Sequence, residues 1–122
     1  MQVVRLSRKG KTRTYIQKLI EMALALRLEL SLSKDEIFKL YASHAPFGGN
    51  VVGIDAASWR YYGRSASRLS WGEAATLAVL PNAPSLIYPG KNREQLLSKR
   101  NRLLDKLFEK GVLDNISCDL AK

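Results

Sequence analysis

The chain has 122 residues, a net charge of +9 and 46% hydrophobic residues, with one cysteine and one histidine. This hydrophobic content excludes a disordered chain, and the length favours one domain or part of one. One cysteine excludes an internal disulfide, and one histidine beside one cysteine excludes a structural zinc site. No apolar run approaches the roughly 18 residues of a transmembrane helix. The charged N-terminal segment MQVVRLSRKGKTRTY has no apolar core and is not expected to be a secretory leader.

The first predicted helix runs from Tyr15 to Leu30, because apolar residues recur there with a period near 3.6. Ser33 and Glu36 fit a capping box, which opens a second helix that extends to about Ser43. The turn-forming residues that follow then break the chain: Pro46, Gly48 and Gly49.

A third helix is predicted from Val52 to Tyr62. Ser70 and Glu73 form a second capping box, which opens a small-residue helix that ends before Pro81. An irregular proline-containing loop follows. A last long helix is expected to be capped by Asn92 with Gln95 and to end at Gly111 as its C′ residue. Segment 114–122 gives no strong prediction. The pattern therefore predicts an all-α fold of about five helices.

Positive charge is concentrated in two stretches, residues 1–18 and residues 91–110. The first stretch has no acidic residue. Such a field favours polyanionic partners, namely nucleic acid, anionic lipid headgroups or a pyrophosphate substrate. Charge alone does not choose among these three partners.

One face of the first long helix is more polar than the rest and carries Lys18, Glu21, Ala25 and Glu29. The pattern alone favours a solvated stripe with a Lys18–Glu21 pair worth a few tenths of a kcal/mol. The functional interpretation is a cleft for glycosyl transfer from a pyrophosphate. A carboxylate would assist the attacking hydroxyl and the positive anomeric centre, and cations would stabilise the departing pyrophosphate. The aromatic residues Trp59, Tyr61, Tyr62 and Trp71 are interpreted as packing, with a sugar platform as the minority interpretation.

Five ordered blocks between residues 1 and 113 carry a family resemblance: MQVVRL, QKLIE, KDEIFKLYAS, APFGG with the block from Gly53 to Arg64, and the block from Leu69 to Pro84. Together they resemble the family 51 glycosyltransferase (transglycosylase) domain of bacterial class A penicillin-binding proteins, in particular the 1C type. The resemblance implies a lysozyme-like all-α domain, of which the chain would hold only the later portion. Residues 1–113 are then a partial domain, and 114–122 are a tail of uncertain structure.

The resemblance also implies roles for individual residues. Glu21 matches the second of the family's two catalytic glutamates, and Lys18, Arg5 and Gln2 are expected to hold the donor phosphates. Gln17 stands where the family has an arginine, so one cationic contact is replaced. Arg64 is a further candidate contact for lipid or glycan.

By the same resemblance, the expected activity is polymerisation of lipid II into β-1,4 glycan strands with release of undecaprenyl pyrophosphate. The expected place is the periplasmic, extracytoplasmic face of the cytoplasmic membrane, with lipid II, the growing strand and the membrane surface as partners. No nucleic acid is expected, and no cofactor or metal ligand is predicted in this chain. A divalent cation assists some family members.

The family's first motif, Glu-Asp-x-x-Phe, supplies the general base and does not occur in the 122 residues. His44 lies elsewhere and is interpreted as a helix-end residue. The chain alone is therefore expected to be inactive, with exposed apolar surface where the rest of such a domain packs. Three alternatives stay open: an inactive remnant, a glycan-cleaving relative, which would need two carboxylates around the bond, and a basic nucleic-acid-binding helical module.

Overall fold

The computed structural model describes residues 2–7 and 15–122, and regular structure within them is helical. The α-helices are α1 (Gln2–Ser7), α2 (Tyr15–Ser31), α3 (Lys34–His44), α4 (Ile54–Tyr62), α5 (Trp71–Val79), α6 (Arg93–Glu109) and α7 (Asn115–Ala121), with single 3₁₀ turns at Ala66–Arg68 and Leu80–Asn82. These residues form no β-strand, only isolated bridges between Pro46 and Val52 and between Tyr88 and Lys91. The all-α prediction is confirmed.

The chain divides into two compact units, Met1–Ala45 (the first unit) and Pro46–Lys122 (the second unit). In the first unit, α1 contacts both α2 and α3. None of the residues of α2 is buried. Apart from the half-buried Leu28, its large apolar side chains are exposed instead, from 37% at Leu24 to 91% at Tyr15. The exposed apolar surface expected from the sequence is therefore present on α2.

The second unit has a buried core between α5, α6 and α7. Its buried members are Ala75, Leu104, Leu113 and Cys118, and Leu103, Leu107 and Ala121 pack against them. Gly72 lets the end of α7 approach α5 closely, because a Cβ at this position would collide with the backbone carbonyl of Ala121. Removing these apolar side chains from water supplies the main stabilisation of this unit.

Both predicted capping boxes are confirmed. Ser33 Oγ accepts from the backbone N–H of Glu36 at 3.3 Å, and the Glu36 carboxylate accepts from Ser33 N–H at 2.8 Å. The same reciprocal bonds join Ser70 and Glu73, again at 3.3 and 2.8 Å. Hydrogen bonds from the backbone and the hydroxyl of Ser33 hold the pKa of the exposed Glu36 carboxyl below its usual value. Each box satisfies backbone donors that the first turn of a helix leaves without an intrahelical acceptor.

The end of α6 is also as predicted. Gly111 has a φ of +70°, the left-handed conformation that glycine adopts without steric cost. Its N–H donates to Phe108 O at 2.9 Å, and Val112 N–H donates to Leu107 O at 2.9 Å. This pair of bonds is a Schellman motif, with Gly111 at C′.

The start of α6 differs from the prediction. Asn92 lies at the N-cap position with a φ of +53°, but its side chain makes no capping bond. Its Nδ2 instead donates to Leu86 O at 2.8 Å. The prediction that Asn92 caps α6 is therefore wrong, because a tertiary bond to the preceding loop takes the side chain that local capping would use.

Three further features were not predicted. Helix α1 forms at Gln2–Ser7, and α7 forms within segment 114–122, for which no element was predicted. Trp59 and Trp71 are 63% and 50% exposed, so neither belongs to the core, although the interpretation as core and rim packing left their place open. Asp114 at the N-cap of α7 is the sequence signal that could have indicated that helix, and hydrogen bonding with Ser117 lowers the pKa of its carboxyl.

Candidate functional site

Helix α2 presents the central residues of the predicted site. Lys18 and Glu21 are three positions apart, so they lie nearly one turn apart on one face. The Lys18 side chain is exposed, and Gln17 and Glu21 are half-buried. The segment forms a helix because leucine, alanine, glutamate, lysine and arginine, all strong helix formers, predominate in it. A substrate can therefore reach both charged groups from solvent.

Lys18 and Glu21 do not neutralise each other. Within residues 2–7 and 15–122 the ion pairs join Arg64 to Glu73 and Lys122 to Asp105. The Lys18–Glu21 pair, which the solvated-stripe interpretation supposed, is therefore not formed. An ammonium and a carboxylate one turn apart stay available to bind oppositely charged parts of a ligand.

The structure brings the two remaining predicted residues to the same unit. Gln2 and Arg5 belong to α1, which contacts α2. Gln2 is exposed. The side chain of Arg5 lies outside the described part of the chain. The predicted phosphate-binding residues are thus distributed over α1 and α2, two helices that contact each other.

A groove in the first unit lies farther along α2. It has a volume of about 430 Å³ and is lined by Val4, Leu24, Arg27, Leu28, Ser31 and Leu32. Its walls are mainly aliphatic, and Arg27 and Ser31 supply the polar groups. Neither Lys18 nor Glu21 lines it. The sequence pattern did not single out this groove, because its lining combines residues from α1 and from the C-terminal half of α2.

Arg64, the further candidate contact for lipid or glycan, makes contacts within the protein. Its guanidinium lies 3.7 Å from the Glu73 carboxylate, and its carbonyl accepts a 2.6 Å hydrogen bond from the fully buried Ser58 hydroxyl. These contacts connect the end of α4 to the start of α5. His44 accords with its interpretation as a helix-end residue, since its Nδ1 lies 3.0 Å from Leu40 O at the end of α3.

Tyr61 fixes the glycine-containing turn before α4. The Tyr61 hydroxyl lies 3.0 Å from both the Phe47 and the Gly48 carbonyl oxygens and donates to this pair. Partial burial raises the pKa of Tyr61. Burial also raises the pKa of Tyr62, although a hydrogen bond with Thr76 offsets part of this rise. The glycines of this block therefore serve the turn, as predicted.

Within residues 2–7 and 15–122, no group of three or more histidine, cysteine, aspartate or glutamate side chains is arranged to hold a metal ion. These residues do not fit a protein-built metal centre. In the same part of the chain, no helix has the length and hydrophobicity required to cross a bilayer.

The order of the motifs and the helical architecture indicate one class of protein, and comparison with known proteins identifies that class. The profile of the family described as Transglycosylase matches residues 1–108. The chain therefore belongs to the transglycosylase family, as the sequence resemblance implied.

Individual relatives agree with this assignment. The chain is 46% identical over 112 residues to penicillin-binding protein 1C of Escherichia coli, a match that covers 92% of the chain and 14% of that protein. It is 35% identical to a putative transglycosylase of Cupriavidus necator, with 99% of the chain and 52% of that protein covered. The crystal structure of penicillin-binding protein 1A from Haemophilus influenzae superimposes with a TM-score of 0.68 at 31% identity, covering 79% of the chain and 14% of that protein. The predicted likeness to the 1C type and the predicted fold are confirmed, and the chain spans only part of the length of these relatives.

Proposed function

We propose that this chain carries part of a peptidoglycan glycosyltransferase site that polymerises lipid II at the extracytoplasmic face of the cytoplasmic membrane. The observation that supports this proposal is the position of Lys18 and Glu21 on one accessible face of α2, where neither forms an ion pair with another residue of 2–7 and 15–122, within a chain that belongs to the transglycosylase family. The site would take the polyprenyl pyrophosphate of the donor and the sugar hydroxyl of the acceptor.

In the proposed reaction, the 4-hydroxyl of the acceptor GlcNAc attacks C1 of the lipid-linked MurNAc. The hydroxyl proton passes to the general base that the family's first motif supplies, which does not occur in these 122 residues. The bond from C1 to the pyrophosphate oxygen breaks, the configuration inverts, and undecaprenyl pyrophosphate leaves. Glu21 is the catalytic carboxylate that stabilises the positive charge on the anomeric centre. Lys18, with Arg5 and Gln2, binds the pyrophosphate oxygens, on which negative charge grows as the bond breaks. A divalent cation, which assists some family members, would supply positive charge at the substrate phosphates.

Donor binding is the part of the proposal that the chain can test directly. Binding of fluorescent lipid II in detergent is expected to weaken about tenfold in Lys18→Gln, since a charge-assisted contact to phosphate is lost. Lys39→Gln, which removes an exposed cation of α3, is the matched control and should bind as the wild type does. Equal binding by Lys18→Gln and the wild type would contradict the donor-site assignment.

Catalysis requires a second experiment, because the 122 residues of the chain do not include the motif that supplies the family's general base. The chain alone is expected to form no glycan polymer. Residues 1–113 can replace the matching segment of Escherichia coli penicillin-binding protein 1C, to which the chain is 46% identical. Glu21→Gln in this chimera should lower polymerisation at least about 100-fold, the typical contribution of a positioned catalytic carboxyl. Glu109→Gln in the same chimera is the matched control, since that carboxylate is exposed at the end of α6. Full activity of the Glu21→Gln chimera would refute the catalytic role.

A further inference from the structure

A row of cations runs along one flank of α6, outside the residues proposed for catalysis. Its members are Lys99, Arg102, Lys106 and Lys110, which we name the α6 cation row. At 100° per residue they fall within a sector of about 80°. At 1.5 Å per residue the row is about 16 Å long. Arg102, Lys106 and Lys110 are exposed, and Lys99 is half-buried.

The core of the second unit holds the row in place. Leu96 and Leu104 of α6 are buried. By the 100° rule, Leu104 lies about 120° beyond the Lys110 edge of the row, and Leu96 adjoins that edge at about 40°. The Schellman motif at Gly111 fixes the end of the helix next to Lys110. The row is therefore displayed on a packed helix, which places the four charges in a defined line before any ligand arrives.

The acidic residues of α6 border the row without pairing with it. By the same 100° rule, Glu109 lies about 20° and Asp105 about 60° beyond the Arg102 edge of the row, and Glu94 lies farther round the helix. Asp105 is bound instead to Lys122 at 2.6 Å. In the part of the chain that the structure describes, no ion pair includes a member of the row. Three neighbouring pairs, 99 with 102, 102 with 106 and 106 with 110, set like charges at a spacing that destabilises a helix. The helix dipole offsets this repulsion only in the last turn.

We propose that the α6 cation row is a docking surface for anionic phospholipid headgroups at a bilayer surface. Charge complementarity favours this ligand, because each basic residue near an anionic membrane adds to the attraction without requiring a directed bond geometry. Three of the four cations are lysines, which act as point charges rather than as planar forks. The row contains no aromatic side chain that could stack on a base, and Phe108 lies on another flank of α6. These features favour headgroups over nucleic acid. The inference rests on the proposed function, which requires a membrane-held substrate.

Vesicle sedimentation tests the row. The full chain is mixed with phosphatidylcholine vesicles and with phosphatidylcholine vesicles that contain phosphatidylglycerol, and the ratio of the two partition coefficients is measured. The neutral vesicles report any contribution from the exposed apolar residues of α2. The triple variant Lys99→Gln, Arg102→Gln, Lys106→Gln should lower this ratio on the order of a hundredfold, which corresponds to about 1 kcal/mol for each cation. The effect should diminish as salt is added.

The control variant removes three exposed cations from other elements, Lys39→Gln, Arg60→Gln and Arg68→Gln, and should lower the ratio less than about tenfold. The double variant Lys99→Arg, Lys106→Arg keeps the charge and should bind as the wild type does, so a folding defect in the triple variant is separable from lost charge. An equal loss in the triple variant and the control would overturn the proposal. Preferential capture of duplex DNA by the row would overturn it as well. Lipid II binding in detergent should be unchanged in the triple variant, so this test and the test of the proposed function fail independently.

Discussion

The Tyr61 hydroxyl ties α4 to the turn at Phe47 and Gly48. Because one hydroxyl hydrogen is shared between two carbonyl oxygens, each at 3.0 Å, the bond is three-centred. The two acceptors lie on buried residues. Loss of the hydroxyl would leave their oxygens with one donor fewer, and buried acceptors without a donor are costly.

Tyr61→Phe is expected to lower the free energy of unfolding by about 1 kcal/mol at neutral pH. Burial raises the pKa of Tyr61 above its usual value, so the folded state favours the protonated phenol. Its contribution to stability is fully present below the unfolded pKa of about 10 and is lost as pH rises through the higher folded pKa. The difference between wild type and Tyr61→Phe should therefore shrink in alkaline solution.

Urea unfolding at a series of pH values between about 8 and about 11 measures this difference. Tyr15→Phe is the matched control, because Tyr15 is 91% exposed and its replacement should leave stability unchanged at every pH. A constant difference between wild type and Tyr61→Phe over the whole range would contradict the assignment of the hydroxyl to a pH-linked hydrogen bond.

At the scale of elements, Glu73 serves two structural purposes at the start of α5. Its carboxylate accepts from Ser70 N–H at 2.8 Å in the capping box, and it faces the Arg64 guanidinium at 3.7 Å. The ion pair is long, and the Arg64 side chain is 51% exposed. Solvent screens such pairs strongly, so the capping bond should dominate the contribution of Glu73 to stability.

Two variants separate these contributions. Glu73→Gln retains an amide that can complete the capping box and should cost less than about 0.5 kcal/mol. Glu73→Ala removes both interactions and should cost about 1 kcal/mol. Thermal unfolding of the two proteins measures the difference. If Glu73→Gln were as destabilising as Glu73→Ala, the ion pair rather than the cap would be the stabilising contact.

The turn before α4 depends on glycine for two reasons at once. Gly48 has a φ of +86°, and a Cβ built there would lie 2.6 Å from the Tyr88 Cβ. Gly63 has a φ of +64°, but the space around it is open. Gly63→Ala should therefore cost about 1 kcal/mol from the backbone conformation alone. Gly48→Ala should cost about 3 kcal/mol, because steric overlap adds to the conformational cost. Chemical denaturation of the pair checks the order, and similar values for both would contradict the predicted overlap.

Features that depend on neighbours in sequence were predictable, and features that depend on distant contacts were not. The capping boxes at Ser33 and Ser70 and the C′ glycine Gly111 involve groups within a few residues of each other. The shared face of Lys18 and Glu21 follows from helical geometry in the same way. Asn92 escaped prediction because its amide bonds to Leu86, and the paired state of Arg64 escaped it because the chain folds back to bring Glu73 close.

At the scale of the whole molecule, burial is distributed unequally between the two units. Helix α2 has no buried residue, although its apolar period predicts an amphipathic helix. Helix α5 buries Ala75, Thr76 and Leu77, and α6 buries Leu96 and Leu104. Since buried apolar contacts control local opening, the amides of α2 should exchange with deuterium well before those of α5 and α6.

The variant Leu104→Ala tests whether exchange in the two units is controlled separately. Leu104 is fully buried in the core of the second unit, so its truncation should cost about 2–5 kcal/mol and accelerate exchange in α5, α6 and α7. Exchange in α2 should stay as in the wild type, because the described members of the cluster around Leu104 belong to α5, α6, α7 and the turn between α6 and α7. Leu120→Ala makes the same chemical change at a side chain that is 84% exposed and should alter neither unit. Faster exchange in α2 of the Leu104→Ala protein would show instead that the two units open as one cooperative body, and the burial of Leu104 would then stabilise the helix that carries Lys18 and Glu21 as well.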